Sequence, residues 1–349
     1  MATTATPSLS RLADDNSRAR RAPAAHRHKL DVVSDAAYER HIACGPRIVA
    51  FLGARVALIV DEAAGLPAAA WAADPADRAA LAACIGALER LLAAFDACVG
   101  RAPAVRAPYR GRATRVEVAF LEGAAGLAHH GSAGVAVGPA FVREMVETAR
   151  GGGVVLPHVL CYELCRNYIF PEEFTAAFDF CLLEGPDCWG WANQGFVNVL
   201  GTLLLDELHD PAIGFTYHGH TRDAFLASME DELKTYISRG GPFAETFLHE
   251  RLPWKPASSV DNVWSGLLVR LWRVHGRGAF LARFFAAIPA LAASRAPASK
   301  ADFATASENF YIAACAGARA DLAEEFDALR WPRRAAAAAA GAAAAAAAR

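Results

Sequence analysis

Several large functional classes leave no mark on this chain. It has no P-loop, no GxGxxG and no GxSxG, so phosphate-cradling loops and the α/β-hydrolase elbow have no support. It has little net charge: 35 Lys and Arg against 37 Asp and Glu leave −2. That balance gives no electrostatic reason for a nucleic-acid or anionic-membrane partner. No secretory apolar region follows Met1, and no apolar run reaches the roughly 18 residues a membrane span needs. The expectation is a soluble, intracellular, cytoplasmic protein with neither nucleic-acid nor membrane partners. The eight cysteines contain no CxxC pair and are expected as reduced thiols.

What is present is a large apolar reserve. Hydrophobic residues make up 54% of the chain and charged ones 21%, enough for a sizeable core in one or two lobes. Residues 1–29, with Arg18, Arg20, Arg21 and Arg27, read as a disordered arm. An organellar targeting peptide is the alternative, and Asp14 and Asp15 count against it. Residues 30–170 are expected to form a sheet-containing lobe and 171–332 a helical lobe. Residues 333–349 read as a non-functional polyalanine tail with no partner face.

Local patterns fill in this outline. Residues 47–61 give one or two buried strands. Asp74-Pro75 opens a helix that runs to about Val99 and stops at Gly100. Val116, Val118 and Phe120 alternate with Arg115 and Glu117, the pattern of a half-buried strand. Residues 134–138 form a short strand of small side chains, suited to a sheet edge where another backbone approaches. A helix over 140–150 follows. Residues 154–171 read as one helix, with Pro157 in its first turn and Pro171 beyond its end. Another helix runs from Trp191 to about Leu208, and helical patterns dominate the remainder.

The 154–171 stretch carries the chemistry. Within it, Tyr162-Glu163-Leu164-Cys165-Arg166 has the frame of H-E-x-x-H, with the glutamate kept and both histidines replaced. Downstream lies Trp191-Ala192-Asn193-Gln194-Gly195-Phe196-Val197. These motifs, with the element order around them, resemble the zincin metallopeptidases, the gluzincin branch in particular. The resemblance implies an α+β fold: a small mixed sheet, an active-site helix, then a mainly α-helical lobe. It puts Glu163 at the general-base position and Tyr162, Arg166 and Gln194 at the three zinc-ligand positions. Asn167 matches the motif's ending, and Gly134, Val135, Ala136 and Val137 match the peptide-binding edge strand. Tyr217 or His218 matches the oxyanion position.

The ligand positions are where the chain departs. Zinc takes imidazole, thiolate or carboxylate donors. A neutral tyrosine is a poor ligand, a glutamine carbonyl a weak one, and arginine has no lone pair to give. A guanidinium there also repels a cation, by ~4 kcal/mol per unit charge at 4 Å and effective dielectric 20. Arg166 lies three residues beyond Glu163, the spacing of a helical ion pair. The expectation is therefore a pseudopeptidase with no metal cofactor, binding an extended peptide or protein segment in its cleft. The alternative is an active hydrolase, either with a non-standard metal set of His158, Cys161 and Cys165 beside Glu163 as general base or with Glu163 acting alone; Cys161 and Cys165 with Cys181 or Cys188 would make a displaced soft-metal site. A purely structural protein with a filled cleft is the third reading. A Cys161–His158 nucleophile lacks an orienting partner, and His129-His130 reads as surface.

Overall fold

The computed structural model describes residues 31–34, 47–103, 115–124, 128–131, 134–169, 177–178, 191–239, 241, 261–299 and 302–349. The arm 1–29, Cys181 and Cys188 lie outside the described residues. The fold is α+β. Strands β1 (Asp31–Ser34), β2 (Ile48–Leu52), β3 (Val56–Asp61), β4 (Val116–Phe120), β5 (Ala128–Gly131) and β6 (Gly134–Val137) form one sheet, in the order β1-β2-β3-β4-β6-β5. The pairs β3–β4 and β4–β6 are parallel and the others antiparallel, so the sheet is mixed. Helix α1 (Ala68–Ala73) leads to α2 (Pro75–Val99). The Asp74 carboxylate accepts from the Ala76 and Asp77 amides, Pro75 fills the first turn, and Gly100 ends α2 at φ 76°.

Helix α3 (Pro139–Arg150) follows β6, and β7 (Val154–Pro157) runs straight into α4 (His158–Ile169). Then come α5 (Trp191–Glu207), β8 (Ile213–Thr216), α6 (Arg222–Arg239), α7 (Asp261–Val274), α8 (Gly278–Ser294), α9 (Phe303–Ala318), α10 (Ala323–Ala328) and α11 (Ala335–Ala347). One apolar core joins both halves. Leu58, Val118 and Val135 on the sheet are continuous with Leu164 on α4, Phe196 on α5 and Phe310 on α9. Fully burying each such side chain is worth about 1.5–3 kcal/mol. Among the described residues no single helix is long and apolar enough to cross a membrane.

Four local expectations change. The 154–171 stretch is not one helix: Val154–Pro157 pairs in parallel with β8, from Val154 opposite Ile213 to Pro157 opposite Thr216. Its β-branched start favours the extended form once a partner strand is available. Residues Gly134, Val135, Ala136 and Val137 are a strand but not the edge, because β4 pairs with one side and β5 with the other. The edge belongs to Ala128–Gly131, the segment that holds His129 and His130. Strand β4 is buried on both faces, Glu117 included, since a second small apolar cluster with Ile59, Ala119 and Ala136 lies behind the sheet.

The polyalanine segment is no loose tail. Ala337, Gly341 and Ala345 recur every four residues and are buried, and α11 packs on α9. A side chain at Gly341 would stand 2.5 Å from the Tyr311 ring, so the missing Cβ is what lets the helices close. Glu308, itself buried, accepts from the Arg334 side chain at the start of this segment and from Arg295.

Candidate functional site

Helix α4 is held at both ends. At its C-terminal end Asn167 reaches the sheet: its Oδ1 accepts from Gly134 N at 3.1 Å and its Nδ2 donates to Gly134 O at 3.3 Å. The same Nδ2 donates to Glu163 O at 3.0 Å. On the inner face Leu160, Cys161, Leu164 and Cys165 are buried, and α5 approaches so closely that a Cβ on Gly201 would lie 2.8 Å from Cys161. The other face carries Tyr162, Glu163 and Arg166.

At the N-terminal end of α4, His158 sits in a box of rings. Tyr162, Phe215, Tyr217 and Phe225 lie within 4.8 to 5.9 Å of it, centroid to centroid. The imidazole Nε2 is 2.8 Å from the Asn198 carbonyl, which can only accept, so Nε2 carries the proton. Burial pushes the pKa of His158 down to about 4, against the pull of that carbonyl. The ring is neutral at pH 7.

Tyr217 is carried by a tight hairpin. His218 and Gly219 both have positive φ, 49° and 79°, and Tyr217 and His220 exchange backbone hydrogen bonds. That is the two-residue turn whose twist matches its flanking strands. It folds Tyr217 over His158 at the end of β8.

Between α3, the start of α4 and this hairpin lies an open cleft of about 740 Å³. Glu163, Tyr162, Tyr217 and His218 line it, as do Phe141 and Glu144 from α3. With His158, five residues singled out by sequence, scattered over 158–218, thus meet in one place, whereas Arg166, Asn167 and Gln194 do not line it. Phe141 and Glu144 carry no motif. Only the amphipathic pattern of α3 marks them, and that pattern does not say which exposed residues face a cleft.

Glu163 is buried at the floor, and one guanidinium nitrogen of Arg166 stands 3.1 and 3.2 Å from its two carboxylate oxygens. Burial raises the Glu163 pKa above the ordinary carboxylate value, and Arg166 pulls it part of the way back. The Arg166 guanidinium also lies 5.7 Å from the Tyr162 ring. Burial pushes the Tyr162 phenol up to about 12, so it stays protonated. Gln194 is half-buried in the first turn of α5.

Among the described residues His158, Cys161 and Cys165 are not gathered into one metal site. His158 spends its Nε2 on Asn198, and Cys161 and Cys165 point into the α4–α5 packing. Burial pushes the Cys161 thiol up to about 12 and raises Cys165 as well, the opposite of what a thiolate ligand requires. Among the described residues no three His, Cys, Asp or Glu side chains are grouped to hold a metal ion. No family model, curated protein or solved structure matches the chain.

Proposed function

We propose that this is a zincin-like protein in which an ion pair stands where the metal would be, and that its cleft binds an extended peptide or protein segment without cleaving it. The Glu163–Arg166 pair at the cleft floor carries this reading. A glutamate drives hydrolysis at neutral pH through a metal-bound water or another activated group. Here the guanidinium neutralises it instead, from one of the three positions the resemblance reserves for zinc ligands. The order of sheet, α4, α5 and helical half supports the same reading. So does the open cleft beside α4, because a purely structural chain would gain more by filling it.

Among the described residues β5 is the edge of the sheet and packs beside α4, which supports strand addition as the mode of binding. Metal analysis and peptide-library binding on the purified full chain test the proposal. It predicts no stoichiometric zinc and saturable binding without cleavage. One tight zinc per chain, lost when Tyr162 or Gln194 is substituted, would overturn it.

A second reading draws on the raised pKa of Glu163, which suits a general base. It predicts peptide cleavage that disappears in Glu163→Gln.

A further inference from the structure

Charge in the cleft is uneven. Arg166 cancels Glu163 at 3.1 Å. Glu144, on the opposite wall, is exposed, and its carboxylate has no partner among the described residues. The described residues that line the cleft therefore bring two carboxylates, Glu144 and Glu163, of which Arg166 pairs with the second. The walls are largely aromatic, with Phe141 on α3, Tyr162 on α4 and Tyr217 on the hairpin. The Tyr162 and Tyr217 hydroxyls make no hydrogen bond to other described residues.

Aromatic faces beside an unmatched carboxylate favour one chemistry. Ring faces attract a cation through their quadrupole, and the carboxylate adds direct attraction. An anion would meet repulsion, and a wholly apolar group would strip water from Glu144 with no return. We infer that the cleft seats the basic side chain of a bound peptide, a lysine ammonium or an arginine guanidinium, between these rings and Glu144. The aliphatic stem would pack on Phe141 and Val159, which line the same space. The inference rests on the reading of this cleft as a peptide site and adds the side chain that it selects.

The test is calorimetric titration of the full chain with acetylated, amidated alanine pentapeptides carrying lysine, arginine, norleucine or glutamate at the centre. N-acetyl-lysine amide serves as a probe without flanking backbone. The lysine and arginine peptides are expected to bind about tenfold more tightly than the norleucine peptide, from one cation–π contact and one ion pair. The preference should shrink as salt is raised and fall to within about twofold in Glu144→Gln. Glu144 is exposed, so that variant keeps its fold, which circular dichroism checks. Equal binding of the lysine and norleucine peptides would overturn the inference and leave the peptide-binding reading standing. Binding of N-acetyl-lysine amide, weakened in Glu144→Gln while the pentapeptides bind no better than the amide, would uphold the basic pocket and overturn the peptide reading. Silence from every probe overturns both.

Discussion

Acidification should loosen the cleft through His158. Burial among Tyr162, Phe215, Tyr217 and Phe225 pushes its pKa down to about 4. In an unfolded chain the same imidazole titrates near 6.5. Between those values the unfolded chain binds more protons than the folded one, so stability falls as pH falls from about 6.5 towards 4. Linkage over that gap gives a loss of about 2 kcal/mol between pH 7 and 4.5. Glu163 works in the other direction: its folded pKa is raised, so protonation there favours the folded state and offsets part of the loss. His158→Phe separates the two. It keeps a ring in the box and gives up the bond to the Asn198 carbonyl, so it should be less stable at pH 7 by about 1–2 kcal/mol. On acidification to pH 4.5 it should lose about 2 kcal/mol less than the native chain. Urea unfolding at the two pH values measures both effects, and NMR of labelled imidazoles gives the titration directly. If both chains lose the same stability, or if the His158 ring titrates near 6.5, the burial argument fails.

Other substitutions probe the scaffold and the ion pair. Asn167→Ala removes the two hydrogen bonds that tie α4 to Gly134 on β6 and a third within α4, and should cost about 2–3 kcal/mol in chemical denaturation. Gly341→Leu drives a side chain into the Tyr311 ring and should lower the melting temperature, whereas Ala342→Leu, on the exposed side of α11, should leave it unchanged. Arg166→Met leaves Glu163 buried without its counter-charge and should destabilise by about 3–5 kcal/mol, with recovery when Glu163→Gln is added. The triple change Tyr162→His, Arg166→His and Gln194→Glu should create a zinc site detectable by metal analysis, while each single change should not.

Much of the scaffold is written locally. Asp74-Pro75 and Gly100 bracket α2 because cap and stop chemistry involve only neighbouring residues. The pairing of Glu163 with Arg166 follows from helical spacing alone. What escaped reading depends on distant partners. Val154–Pro157 becomes a strand only because Ile213–Thr216 lies beside it, some 60 residues on. The small residues at 134–137 announce a close backbone approach but not its direction: a Cβ on Gly134 would run into the Glu117 carbonyl of the neighbouring strand. Polyalanine carries no pattern at all, and its buried stripe is chosen by Tyr311 and Cys315 on α9. Glu144 is one of several exposed acids until the hairpin at 217–220 closes a cleft in front of it.

Arg166 gives the proposed site an internal logic. A glutamate side chain only 5% exposed needs a cation or a proton. If the metal were lost and a neutral residue stood at position 166, the carboxyl would be driven towards protonation in its burial, and the floor of the cleft would gain by collapsing onto it. Arginine one turn along the helix prevents that, because a single guanidinium nitrogen reaches both carboxylate oxygens. On the proposed reading, arginine at this position gives no donor, repels a dication and supplies a positive charge of its own. On the reading proposed above, exclusion of zinc and neutralisation of Glu163 would be one event rather than two. Arg166 offsets the charge of Glu163, while Glu144 and the aromatic rings line the same cleft. That division of charge is what the proposed reading, a cleft that holds a ligand without attacking it, requires.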